Sequence, residues 1–109
     1  MNARQEVKTM GKPFYSDYVR HCLRFYSRNV IKPSAFKSDV DKNNWLSCYA
    51  VLKFYTDLEK NMLIAVYSGY DTLPDEVYNA SRKFNINQNI IWDLMKKVEH
   101  RVAKLRGLI

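Results

Sequence analysis

Between Arg82 and Arg101 the sequence RKFNINQNIIWDLMKKVEHR gathers side-chain amides, one indole and a run of cations within twenty residues. Gln88 and Asn89 each present a donor and an acceptor side by side, which is what the major-groove edge of adenine requires. Lys96 can donate to guanine or to a phosphate, and Trp92 offers a large flat apolar surface in the same stretch. These four are the candidate base-reading residues. Arg82, Lys83, Asn87, Lys97 and Arg101 are suited to phosphate oxygens, contacts that fix position and carry no sequence information. The chemistry implied is reversible binding of double-stranded DNA.

Bond-making chemistry has no comparable set of residues. Asp75 and Glu76 are adjacent carboxylates, but neighbours in sequence point to different sides of a helix, and a helix N-terminus favours acids anyway. His21 and His100 have no partner at a metal-ligand spacing. Gly11, Gly69 and Gly107 are the only glycines, so no phosphate-cradling glycine loop exists. The expectation is a chain that is not an enzyme and uses no metal or cofactor.

The residues singled out need a short helix, a tight turn and a long helix to hold them. Val77, Ala80, Ser81 and Phe84 recur three or four residues apart and give the first helix one apolar or small face. Asn85 falls where the chain must turn, and Asn tolerates the left-handed backbone conformation better than any residue except Gly. Ile86 has the character of a buried turn residue, and Asn87 can cap the next helix by accepting from its free amides. Ile91, Leu94 or Met95, Val98, Val102 and Leu105 then repeat at helical spacing. Lys104 and Arg106 suit the negative end of that helix, and Gly107 supplies a left-handed stop onto which Leu108 can fold back. This layout is a helix-turn-helix, whose second helix lies in the major groove.

Upstream, Pro13 is placed to open a helix reaching about Arg28, with an apolar stripe from Phe14 to Tyr26. Arg20, Arg24 and Arg28 form a basic ridge on its polar side, which with the tyrosines also suits stacking on single-stranded nucleic acid. Asn29 to Lys37 reads as a loop. Asp39 or Asp41 can cap a second helix through about Tyr55, with Trp45, Cys48, Tyr49, Leu52 and Tyr55 inward. Thr56 and Glu59 form a capping box opening a third helix with Leu58, Met62, Leu63, Val66 and Tyr67, stopped near Gly69. Its acidic, apolar sequence fits it to brace the helix-turn-helix from behind.

A chain of 109 residues that is 47% apolar can bury a core without staples, and three glycines and three prolines are too few for many short strands. Cys22 and Cys48 fall on apolar helix faces, where reduced buried thiols are expected. No secretory leader or bilayer-spanning run is present, so a cytoplasmic protein is expected. The net charge of +7 is uneven: residues 81–109 carry seven bases and two acids, while residues 56–80 carry one base and five acids. A basic last helix beside an acidic middle suits a polyanion on one face.

The stretch from about Trp45 to Leu105 resembles the C-terminal DNA-binding region, region four, of sigma factors. It is also similar to the ArpU and RinA kind of phage-type late transcription regulators. The carriers are Leu58-Glu59-Lys60-Asn61-Met62-Leu63 with Val66-Tyr67, then Val77, Ala80, Ser81, Phe84, Ile86, Ile91 and Leu94, and finally Arg101-Val102-Ala103-Lys104-Leu105-Arg106. Ser81 stands where that family favours Ala, and Asn85 where it favours Gly. Arginine or lysine is missing from Asn87 to Asp93. The resemblance implies a small transcription regulator of a phage or mobile element, with double-stranded DNA as partner and RNA polymerase or another protein as a second.

The expected architecture is an all-α bundle of about five helices with a C-terminal helix-turn-helix ending in a long basic helix. Residues 1–12 are expected to be a flexible arm and 13–109 one helical domain. Within it, 13–55 form an N-terminal hairpin and 56–109 the bracing helix plus the helix-turn-helix. The sequence is compatible with a homodimer and gives no sign of a membrane partner. The rival expectation is a protein-interaction module on the same scaffold that does not bind DNA.

Overall fold

In the computed structural model, which describes residues 13–30 and 36–109, five helices form and no strand is present among the described residues. They are α1 Ser16–Arg28, α2 Asp39–Leu52, α3 Asp57–Ser68, α4 Leu73–Phe84 and α5 Gln88–Leu105. The arm expected over residues 1–12 and the centre of the loop around Pro33 lie outside the described residues. No described helix is long and apolar enough to cross a membrane.

Local signals set the helix ends. α1 starts three residues after Pro13, whose carbonyl accepts from the Ser16 amide at 3.1 Å and so forms a turn ahead of the helix. α2 is capped by the Ser38 hydroxyl, which accepts from the Asp41 amide at 3.1 Å, and the expected capping by Asp39 or Asp41 does not occur. It also ends earlier than its apolar pattern suggested, because Phe54 and Tyr55 bond back only three residues, to Val51 and Leu52. The capping box of α3 is complete, with Glu59 N to Thr56 Oγ1 at 3.1 Å and Thr56 N to Glu59 Oε1 at 2.9 Å. α5 closes on Gly107 at φ 73°, and the Leu108 amide reaches the Ala103 carbonyl at 2.9 Å, so Leu108 folds back onto the core.

The last helix organises the packing, for α5 touches all four others. α3 contacts α1, α4 and α5, and α1 also packs on α2, so every helix contributes to one core. Val19, Leu23, Cys48, Leu52, Leu63, Val66, Val77, Ile91, Met95, Val98 and Val102 are buried in it. Some residues of the expected apolar stripes lie in solvent. Phe14, Tyr49, Leu58 and Leu105 are exposed although they continue a helical period.

A carboxylate sits within this core. Glu99, only 4% exposed, accepts from Arg20 Nε at 3.0 Å and from the Tyr67 hydroxyl at 2.5 Å, both at Oε2. This joins α1, α3 and α5. Burial first, and the facing Glu99 carboxylate second, hold the Tyr67 phenol well above its ordinary range. The rest of the α1 basic ridge is tied to the end of α3. Arg24 Nη1 and Arg28 Nη2 both donate to the Gly69 carbonyl, at 3.1 and 2.6 Å, and Arg28 Nε donates to the Ser68 carbonyl at 3.3 Å. These cations satisfy the open C-terminal carbonyls of α3. At the other end of the bundle the buried Asn44 accepts from the Tyr18 hydroxyl at 3.1 Å and from Arg106 Nε at 2.8 Å.

The two cysteines are buried and unbonded. Burial pushes the Cys22 thiol from its ordinary 9.0 up to about 11, and it pushes Cys48 further in the same direction. A raised folded value means that folding keeps these thiols protonated. Stability is therefore full below about pH 9 and falls as the unfolded chain, but not the folded one, loses protons. Urea denaturation at pH 7 and pH 10.5 checks this: stability is expected to drop by roughly 2 kcal/mol or more, and by less in Cys48→Ala relative to its own pH 7 value. The Glu99 cluster yields a second expectation. Arg20→Leu leaves a carboxylate buried without its cation and should lower stability by about 2–4 kcal/mol. Glu99→Gln retains an acceptor for Tyr67 and should cost less in the same denaturation assay.

Candidate nucleic-acid interface

α4 ends at Phe84 and α5 begins at Gln88, which leaves Asn85, Ile86 and Asn87 to make the turn. Asn85 adopts φ 55° and ψ 50°, the only positive φ at a non-glycine among the described residues. Ser81 holds the turn from both its backbone and its side chain. Its carbonyl accepts from the Ile86 amide at 3.0 Å, and its hydroxyl donates to the Ile86 carbonyl at 2.5 Å. An alanine there would lose the second bond, so Ser81 has a local structural use. Ile86 packs against the core as expected of a turn residue. Asn87 caps α5 by accepting from the Asn89 amide at 2.7 Å. Its side-chain oxygen is thereby engaged, and only its NH₂ remains to reach a phosphate.

The turn floors a shallow open concavity of about 560 Å³ lined by Ser81, Arg82, Asn85, Ile86 and Asn87. The Arg82 guanidinium reaches the Tyr78 hydroxyl at 3.1 Å. Lys83 lies over the Phe84 ring at 5.5 Å from its centroid. Both cations are exposed beside the concavity and have no carboxylate at ion-pair distance among the described residues.

On α5 the buried residues are Ile91, Leu94, Met95, Val98, Glu99, Val102 and Ala103. Helical periodicity places Asn89, Asp93, Lys96, Lys97, His100 and Lys104 along the opposite side, and all six are exposed. Gln88 is exposed at the helix start, and Arg101 is exposed on the flank with its guanidinium 5.5 Å from the Tyr55 ring centroid. The outward stripe meets α1 at His100, whose Nδ1 lies 3.3 Å from the Tyr15 hydroxyl.

Of the expected base-reading residues, Gln88, Asn89 and Lys96 share the exposed N-terminal half of α5. Trp92 does not join them fully, because it is half-buried and packs against the core. Its position one residue after Ile91 and three before Met95 sets it at the margin of the buried face. The expected phosphate-binding residues Arg82 and Lys83 are exposed in the last turn of α4, and Lys97 and Arg101 are exposed on α5. Sequence reasoning passed over Ile90, which is 57% exposed although it is apolar and β-branched. The signal was available, since only Ile91 of the Ile90-Ile91 pair fits the period of Leu94, Met95 and Val98.

Elsewhere, a smaller concavity of about 280 Å³ is lined by Asp17, Arg20, His21, Arg24 and Leu73. Among the described residues no three His, Cys, Asp or Glu side chains gather as a metal ion would require. Comparison with known protein families, curated proteins and solved structures finds no match to this chain.

The turn conformation gives a direct test. Asn85→Val places a β-branched residue in the left-handed region and should lower stability by about 1–2 kcal/mol. Asn85→Gly should stay within roughly 0.5 kcal/mol of the parent, since relief of strain and greater unfolded-state entropy oppose each other. Urea titration of the three proteins reads out the order.

Proposed function

We propose that this chain binds double-stranded DNA through α4 and α5 and acts as a small transcription regulator similar to the C-terminal region of sigma factors. The observation that carries the reading is the pairwise packing of α3, α4 and α5 around a three-residue turn, with a cationic stripe outward. That is the arrangement a helix-turn-helix needs, with α3 as the brace and α5 as the helix in the major groove. Lys96, Lys97 and Lys104 are exposed and have no carboxylate at ion-pair distance among the described residues. Their desolvation cost on meeting phosphate is therefore not increased by breaking an internal pair. Arg82, Lys83 and Arg101 are held only by hydroxyl or ring contacts and remain open to a polyanion. A regulator of this kind works in the cytoplasm, with DNA as its partner and RNA polymerase as a second.

Six such cations engaging six phosphates imply a loss of affinity of about a thousandfold between 50 and 200 mM salt. Fluorescence anisotropy with a labelled genomic duplex measures this slope. The triple change Lys96→Glu, Lys97→Glu and Arg101→Glu should abolish retention, because it reverses half of the cationic set at exposed positions. Absence of binding by the parent chain at 50 mM salt, or binding indifferent to salt, would sink the reading.

The rival is a protein-interaction module, favoured by the exposure of Ile90 and Tyr78 beside the same turn. In that case the triple variant loses a protein partner while the parent chain retains no duplex.

A further inference from the structure

Two side chains on the reading end of α5 are not accounted for by packing or by phosphate attraction. Ile90 is 57% exposed and is absent from the apolar side chains that pack against the core. Leaving a large β-branched side chain in water at the third position of a helix brings the fold nothing. Asp93 is an acid in the middle of the cationic stripe, with Lys96 and Lys97 three and four residues further along. At that spacing a carboxylate and an ammonium can pair. Yet Asp93 has no ion pair with either lysine among the described residues, and its side chain is exposed. For binding phosphate alone, a negative charge at this place is a penalty.

Resting on the DNA reading above, we infer that Ile90 and Asp93, with Asn89, select the sequence by a thymine methyl group and by major-groove amines. Each residue type matches one of these features. An apolar side chain packs on the C5 methyl of thymine, an acid accepts from the N4 amine of cytosine, and Asn pairs with the N6 and N7 of adenine. An acid can also accept from the N6 amine of adenine, whereas guanine offers only acceptors in the major groove and repels it. Asn89 and Asp93 are separated by one turn, a rise of about 6 Å. That spans roughly two base-pair steps of 3.4 Å. The favoured site thus carries an amine-bearing base about two steps from an adenine, with a thymine beside them and no guanine facing Asp93. Asp93 also lowers affinity for DNA in general, so it raises discrimination at a cost in strength.

The test is selection of duplexes from a random pool by the full chain, followed by anisotropy on the recovered site. Replacing the contacted thymine by deoxyuridine deletes only the methyl group. It should weaken the parent chain about three- to fivefold, the order of one buried methyl, and leave Ile90→Ala unaffected. Asp93→Asn should bind random duplexes several-fold more tightly and change its preference at one position, away from cytosine and towards adenine. Both residues are exposed, so neither variant disturbs the core, and the deoxyuridine arm needs no variant at all. If duplexes are retained but neither deoxyuridine nor Asp93→Asn changes the preference, the inference fails while DNA binding stands. If no duplex is retained at low salt, the DNA reading fails and takes this inference with it.

Discussion

A carboxylate taken out of water is costly unless its lone pairs are met, and Glu99 meets that condition through partners on two other helices. Arg20 comes from α1 and Tyr67 from α3, and both donate to the same oxygen. The pairing is directional, unlike the contacts of Val98 and Val102 around it, which tolerate small rotations. A rotation of α5 by one residue would carry Glu99 away from both donors and expose apolar surface at the same time. The outward positions of Asn89, Asp93, Lys96 and Lys97 follow from that fixed rotation. The outward surface of α5 is thus set by a charge cluster on another side of its own helix.

The same geometry changes what the net charge means. A surplus of +7 suggests a molecule covered in free cations, yet the arginines of α1 are committed to intramolecular bonds. Arg20 serves Glu99, while Arg24 and Arg28 converge on the carbonyl that ends α3. The α1 ridge suited in sequence to single-stranded nucleic acid is therefore engaged as helix capping and core neutralisation. Exposed cations with no carboxylate at ion-pair distance among the described residues include Arg82 and Lys83 at the end of α4 and Lys96, Lys97, Arg101 and Lys104 along α5, besides Lys42 and Lys53 on and just after α2. Among the described residues the first helix spends its three arginines on internal bonds, while the last helix keeps its lysines exposed.

Features decided within a few residues were legible from sequence. The Thr56–Glu59 capping box, the left-handed Asn85, the Asn87 cap and the Gly107 stop each depend on local backbone geometry, and each formed as expected. What could not be read depends on distance along the chain. The Arg20–Glu99 pair joins residues 79 apart, and nothing in either segment announces the other. The apolar periods of Tyr49, Leu58 and Leu105 were equally regular inside and outside the core, since periodicity marks a face and says nothing about how far a neighbour extends. The candidate site divides the same way. Its scaffold was legible, whereas the exchange of Trp92 for Ile90 as the apolar side chain in solvent turned on the exact phase of α5.

That α5 touches every other helix also bears on how the protein is made. During synthesis the first four helices leave the ribosome without the element that closes their shared core. Arg20 and Tyr67 wait for a carboxylate not yet translated, and the apolar surface that faces α5 stays open for that interval. The first four helices keep their mutual packing, α1 on α2 and α3 and α3 on α4, but the core they share is complete only once α5 docks. A chain lacking α5 keeps the contacts of α1 with α2 and α3 but leaves Arg20 and Tyr67 without the Glu99 carboxylate and the apolar surface that faces α5 open to water.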